Sequence, residues 1–251
     1  MNTMVKYTTS TNIVRDVKND IQYIPTPNSL NVFKRIAKGF NSGQHSFNII
    51  GSYGTGKSSF LWALERNLDQ NQPIFEPLNG QFNGLKKFNF LKLIGESDSF
   101  IKVFNNQSGI DINSKPKESI QALDAKYKKI NKKGAALLIV VDEFGKFLEY
   151  AAKNDPDKEL YFIQQIAEYV NDASKNILFL VTLHHNFGSY SKALSKDQRQ
   201  EWEKVRGRLI DVAFDEPIEQ LLYLAAERIQ ELSITNPHKK ESDELFGTIN
   251  E

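Results

Sequence analysis

The chain has 251 residues, 40% of them apolar, enough for one large folded unit or one unit and part of another. Its 32 Lys and Arg nearly balance its 31 Asp and Glu, which gives no electrostatic case for a dominant nucleic-acid surface. The absence of cysteine excludes disulfides and thiolate metal sites, and the four histidines form no cluster with metal-ligand spacing.

The N-terminus, MNTMVKYTTSTNIVRD, lacks the apolar core of a secretion signal, and the longest strongly apolar run, residues 135–141, is too short to span a bilayer. A cytoplasmic location without membrane contact is the expectation. Residues 1–20 are polar and read as an arm. In IQYIPTPNSLNVFKRIAKGF, Pro25 and Pro27 fix an extended turn, and Asn28 or Ser29 can cap a helix carrying Leu30, Val32, Phe33, Ile36 and Phe40.

Residues 47–50, FNII, read as a short buried strand. Gly51, Ser52, Tyr53, Gly54, Thr55, Gly56, Lys57 and Ser58 then fit G-x-x-x-x-G-K-[ST] at every fixed position, and Ser59 continues the turn. Phe60, Leu61, Leu64 and Leu68 follow at helical spacing. Strand, glycine loop and helix are the context in which backbone N–H groups converge on phosphate oxygens. Lys57 would reach the β- and γ-phosphates of ATP, and the Ser58 hydroxyl would ligate Mg²⁺. The alternative is a chance glycine turn before a helix.

Residues 69–133 are the least legible. KFNFLKLIG, residues 87–95, has strand-like apolar content and is read as the second strand. ESIQALDAKYKKINKKG reads as a helix with Ile120, Leu123, Tyr127 and Ile130 on one face. Its Lys126, Lys128, Lys129, Lys132 and Lys133 form the only dense basic run. A solvated face is the first reading; a DNA backbone contact is the second, because no aromatic residue is interleaved with the charge.

AALLIVVDEFGKF holds the next motif. Residues 135–141 are an unbroken apolar run, as in a parallel strand covered on both faces, with Asp142 and Glu143 at its C-terminal end. Ligands of open α/β sheets bind there. Asp142 would hold Mg²⁺ directly or through water, and Glu143 would polarise an attacking water. The alternative is that the pair only caps the following helix. FGKFLEYAAK and DKELYFIQQIAEYVNDAS read as helices, the second with Leu160, Ile163, Ile166, Ala167 and Val170 on one face.

NILFLVTLHHNF is an apolar strand ending in polar residues. EWEKVRGRLIDVAFDEP places Arg206 and Arg208 just before another apolar segment, where a surface arginine at a helix C-terminus is the plain alternative. IEQLLYLAAERIQEL, residues 218–232, is one amphipathic helix, and a polar tail follows. The alternation gives an α/β class with a parallel sheet and helices on both faces.

The glycine loop paired with Asp142-Glu143 resembles the additional-strand P-loop ATPases, including the AAA+ and STAND groups. That resemblance implies a P-loop NTPase core over residues 21–215, an extra strand between the loop strand and the acidic strand, and the first helix of a helical lid over residues 216–251. It implies that the chain is the front of a longer protein. By analogy with the AAA+ sensor 1, His184 would face the γ-phosphate or the lytic water, with Thr182 and His185 as rivals; Asn or Thr is usual there and His is not. It also implies that Arg208, or else Arg206, acts in a neighbouring subunit of an oligomer, and that Tyr23, Ile24 and Pro25 touch adenine. The segments YIPTPNSL, GSYGTGKSSF, VVDEFGKFLEY, TLHHNFGSY and EWEKVRGRLIDVAFDEP look like the N-terminal ATPase part of large bacterial phage-defence proteins of the BREX type. The implied role is ATP-driven assembly or signalling in a homo-oligomer or larger defence complex. Two other roles remain open: a slow nucleotide-gated oligomerisation switch, and a DNA-remodelling or initiator ATPase whose DNA contacts lie in sequence beyond this chain.

Overall fold

The computed structural model describes residues 11–18, 23–69, 74–75, 81–192 and 194–235. The polar tail from Asn236 and most of the expected arm lie outside them. The chain divides into two compact units, the first ending at Asp215 and the second beginning at Glu216. In the first, α1 (Pro27–Asn41) leads to β1 (Ser46–Ile50) and α2 (Lys57–Asp69). Then follow β2 (Phe88–Ile94), α3 (Phe100–Ser108), α4 (Pro116–Asn131), β3 (Ala136–Asp142), α5 (Gly145–Lys153) and α6 (Pro156–Val170). β4 (Ile177–Leu183), α7 (Lys196–Arg206) and β5 (Ile210–Ala213) complete the unit. The second unit is described through α8 (Ile218–Thr235), on which Ile218, Leu222 and Tyr223 are exposed.

The five strands form one parallel sheet in the order β2-β3-β4-β1-β5. β4 lies between the strand that precedes the glycine loop and the strand that ends in Asp142, as expected of the additional-strand order. β3 and β4 are buried at every position because helices cover both sheet faces. Side chains alternate between two cores. Leu137, Ile139, Val141, Phe179 and Val181 face α3 to α7, while Leu138, Val140, Leu178 and Leu180 face α1 and α2. The first core is rich in phenylalanine: Phe162 lies 5.6 Å from Phe100 and 5.3 Å from Phe104, ring centre to ring centre.

The expected helices and strands are present, with local differences. α1 is capped by Thr26, not by Asn28 or Ser29. Pro27 occupies the first helical position, so Ser29 falls at the third and its hydroxyl accepts from the Thr26 N–H at 2.8 Å. Leu123 and Tyr127 of α4 are buried, and Ile120 and Ile130 pack beside them. Residues 11–18 of the expected arm lie against α2: Ile13 is buried, and the Trp62 indole N–H donates to the Asp16 carbonyl at 3.1 Å. α3 has no counterpart in the sequence reading, and α7 is met there only as the helix C-terminus weighed for Arg206 and Arg208, which the helix end at Arg206 matches. Among the described residues no helix is long and apolar enough to cross a membrane.

Phe162→Ala should lower unfolding stability by about 3–5 kcal/mol, since it opens a cavity among rings that cannot collapse together. Urea denaturation should show a lower midpoint at an unchanged slope.

Candidate functional site

In a parallel sheet every strand delivers its following loop to the same edge. Here β1, β3 and β4 deliver the glycine loop, Asp142-Glu143 and His184 to one side of a cavity of about 500 Å³. Gly54 (φ 79°) and Gly56 (φ 90°) hold left-handed conformations and have open space around them, so the backbone demands glycine there, not the packing. Gly51 is required for a different reason. A side-chain carbon there would meet the Phe214 carbonyl oxygen at 2.1 Å.

Lys57 opens α2 and is buried. Its ammonium donates to the Gly51 carbonyl at 2.5 Å and the Ser52 carbonyl at 2.7 Å, and lies 3.3 Å from His184 Nδ1. Burial lowers its pKa, while Asp142, Asp215 and Glu143 act in the opposite direction. The contact assigns the imidazole lone pair to Nδ1 and the proton to Nε2, which is buried and makes no hydrogen bond. Tyr53 of the glycine loop, itself largely exposed, stacks on the His184 ring with centroids 3.4 Å apart.

Asp142 is buried at the end of β3. The Thr182 hydroxyl donates to its Oδ1 at 2.6 Å, and the Glu143 N–H is shared between that oxygen (3.0 Å) and Thr182 Oγ1 (2.9 Å). Thr182 is thus placed to orient Asp142. Glu143 is in the left-handed region, at φ 54°, unusual for a residue with a side chain. Its carboxylate pairs with Lys146 of α5, and that pairing raises the Lys146 pKa. Gly95 makes room for this turn: a side-chain carbon there would lie 1.9 Å from the Glu143 carbonyl oxygen.

The cavity wall therefore contains Tyr53, Gly54, Gly56, Lys57, Ser58, Ser59, Asp142, Glu143 and His184, with Gly51, Ser52 and Thr55 in the same loop. His185 is exposed and does not line the cavity. Tyr23 packs edge-on against Phe75, and neither it nor Ile24 nor Pro25 lines the cavity. Thr11, Asn12 and Arg15 also line the cavity, with the Thr11 and Ser59 hydroxyls 2.8 Å apart. Arg208 precedes β5, at the opposite edge of the sheet. It donates to Glu168 at 2.5 Å and to the Lys204 carbonyl at 2.6 Å, so within one copy it is held by its own unit. Arg206 pairs with Glu203 at the surface. The sequence reading passed over Lys146, Gly95 and Arg15; a lone glycine ending a strand was the one available signal.

No protein-family model matches the sequence, and no curated protein matches it. Solved structures do. The ORC2 protein of Aeropyrum pernix, in its ADPNP-ADP complexes, superposes with a TM-score of 0.57 at 18% identity, over 87% of this chain and 56% of that one. Its ADP form gives 0.53 at 19% identity over the same shares. The chain has the AAA+ P-loop ATPase fold. It spans little more than half the length of that archaeal protein.

Within the AAA+ fold, the donor set fits a magnesium ion carried with phosphates: the Ser58 hydroxyl and the Asp142 carboxylate are hard oxygen ligands. Among the described residues no group of three His, Cys, Asp or Glu side chains is gathered to bind a metal alone.

Burial, and next Lys57, push the His184 pKa below the ordinary imidazole value of about 6.5. As pH falls, the unfolded chain therefore takes up this proton before the folded one, and stability is lost on acidification through and below that value. Between about pH 7.5 and 5.5, the parent should lose more stability than His184→Gln, by denaturation midpoint. Equal losses would show that the imidazole titrates normally.

Proposed function

We propose that the chain is a Mg²⁺-dependent ATP-binding and ATP-hydrolysing module. One observation carries this reading: Lys57, Ser58, Asp142, Glu143 and His184, distant in sequence, line one cavity beside a loop whose glycines leave its backbone N–H groups open. The adenine nucleotides held by the Aeropyrum protein support the choice of ligand. Lys57 turns from its loop carbonyls to the β- and γ-phosphates, and the α2 N-terminus adds its partial positive charge. Ser58 and Asp142 would hold the metal ion, whose chemistry when bound would be charge neutralisation at the transferred phosphate. Glu143 accepts the proton of the attacking water once it leaves Lys146. His184 presents its Nε2–H to the terminal phosphate or to the water.

The reading includes an ATPase core over residues 21–215, the start of a lid from residue 216, and assembly into oligomers in the cytoplasm. The five resembling segments extend it to a bacterial anti-phage protein, a step that the structural matches leave unsupported because they speak to fold alone. A slow switch is favoured by one feature: Lys57 is bonded to carbonyls of its own loop and Glu143 is paired with Lys146, so both contacts must break before either side chain acts.

Lys57→Ala should weaken ATP binding about tenfold or more, by calorimetry, because a charge-assisted contact is lost. Glu143→Gln should bind ATP as the parent does and turn over about 10² to 10⁴ times more slowly. Parental affinity in the first, or parental turnover in the second, would displace the site or the base.

Arg208 is proposed to act on the γ-phosphate of a neighbouring copy after leaving Glu168, where such arginines supply about 10³ to 10⁵ in rate. Arg208→Ala should bind ATP and lose the activity that rises more than linearly with protein concentration. Mixed with Glu143→Gln, it should recover partial activity, because some interfaces then combine an intact base with an intact arginine. No recovery in proven mixed oligomers would remove the trans role.

A further inference from the structure

The edge of the sheet opposite the cavity gathers positive charge that the sequence keeps apart. Lys86 and Lys87 immediately precede β2, and Lys132 and Lys133 lie between α4 and β3. The register sets Phe88 opposite Ala136, and the Ala136 N–H donates to the Lys87 carbonyl at 2.9 Å. Paired strands run about 4.8 Å apart, so these two dilysine steps enter the sheet side by side. Lys129, in the last turn of α4, extends the group.

All five of these lysines are exposed. None of them forms an ion pair or hydrogen bond through its ammonium among the described residues. The acids bonded nearby are already matched, Asp124 with Lys128 and Asp172 with Lys175. In a chain of net charge +1, five unmatched ammonium groups at one edge are a segregated charge.

The rest of the edge selects the partner. Asn89 and Asn131 are exposed beside the lysines, and no large apolar side chain is exposed there among the described residues. Protein interfaces have cores depleted in lysine and enriched in aromatic residues, Met and Arg. Contacts to a phosphate backbone use Lys and Asn without needing an apolar anchor. Single-stranded nucleic acid would need stacking platforms, and no described residue of this edge exposes an aromatic ring. The geometry points to a sequence-independent docking surface for the phosphate backbone of a nucleic-acid duplex, formed by Lys86, Lys87, Lys129, Lys132 and Lys133. It stands apart from the nucleotide cavity and does not depend on it.

Fluorescence anisotropy of the whole chain with a labelled DNA duplex, an RNA duplex of the same sequence and polyglutamate tests this. Five phosphate contacts should give a slope of about −4.5 for log affinity against log salt, or about a 500-fold loss from 50 to 200 mM. Replacing Lys86, Lys87, Lys132 and Lys133 with Gln should leave a slope of about −1 and about a threefold loss over the same range. Lys102→Gln with Lys117→Gln, exposed on other parts of the surface, should match the parent. Tighter binding of one duplex identifies which nucleic acid the surface takes. The proposal is overturned by no duplex binding at the lowest salt, by a parental slope in the four-lysine variant, or by polyglutamate binding as tightly as either duplex, which would make this a site for acidic protein.

Discussion

The buried hydrogen bond from Thr182 to Asp142 is the constraint on which the site depends. At 2.6 Å it joins the ends of neighbouring strands β3 and β4, and the same hydroxyl oxygen accepts from the Glu143 N–H. A hydrogen bond to a charged group contributes about 1.5–3 kcal/mol, more than a neutral one. Without it, Asp142 would be a carboxylate stripped of water and short of a donor. Its second consequence is conformational. With its N–H held by both oxygens, Glu143 continues into a left-handed backbone, which turns its side chain out of the strand and toward the cavity. One threonine therefore fixes the acid that would hold a metal and the turn that presents the acid that would activate water.

What the sequence made legible follows from how local each signal is. β3 and β4 are covered on both faces, so their continuous apolar runs announce them without help from partners. The glycine loop is legible because its positive-φ positions and its lysine lie within eight residues. α3 is not: it is nine residues long, and its buried N-terminal N–H groups meet Glu159, 58 residues beyond Ile101. α7 buries only Trp202 and Val205, so its sequence shows charge where a stripe would be sought. Thr182, His184 and His185 could not be ranked from the chain alone, because only strand pairing shows Thr182 bonded to Asp142 and His184 beside Lys57. Tyr23 was assigned to adenine by position in the chain, and its ring packs on Phe75, while Thr11, Asn12 and Arg15, which carried no motif, line the cavity.

The parallel sheet has two unlike edges, and topology sorts residues between them. All turns that follow strands collect at one edge, where glycines, Lys57 and the acid pair meet. All turns that precede strands collect at the other, where Arg208 and the lysines before β2 and β3 are found. Neither group is contiguous in sequence. The near-neutral total charge is thus a sum over separated regions, and it hides the electrostatic character of both.

At the cavity, the side chains of the site are engaged with one another in a finely balanced arrangement. Lys57 takes two carbonyls of its own loop, Glu143 takes Lys146, and Tyr53 lies on His184. The Glu143–Lys146 pair is partly exposed, and such pairs contribute about 0–1 kcal/mol. The aromatic contact contributes about 0.5–1.5 kcal/mol, while the unpartnered, buried Nε2–H beneath it costs about 1–3 kcal/mol. The stack therefore closes over a donor whose cost offsets it. On the proposed reading, a bound phosphate would reverse that sign, because its oxygens would accept from Lys57 and from Nε2 together. On that reading, the glycine loop that partners the lysine through the Gly51 and Ser52 carbonyls is also the loop whose N–H groups would cradle the phosphate.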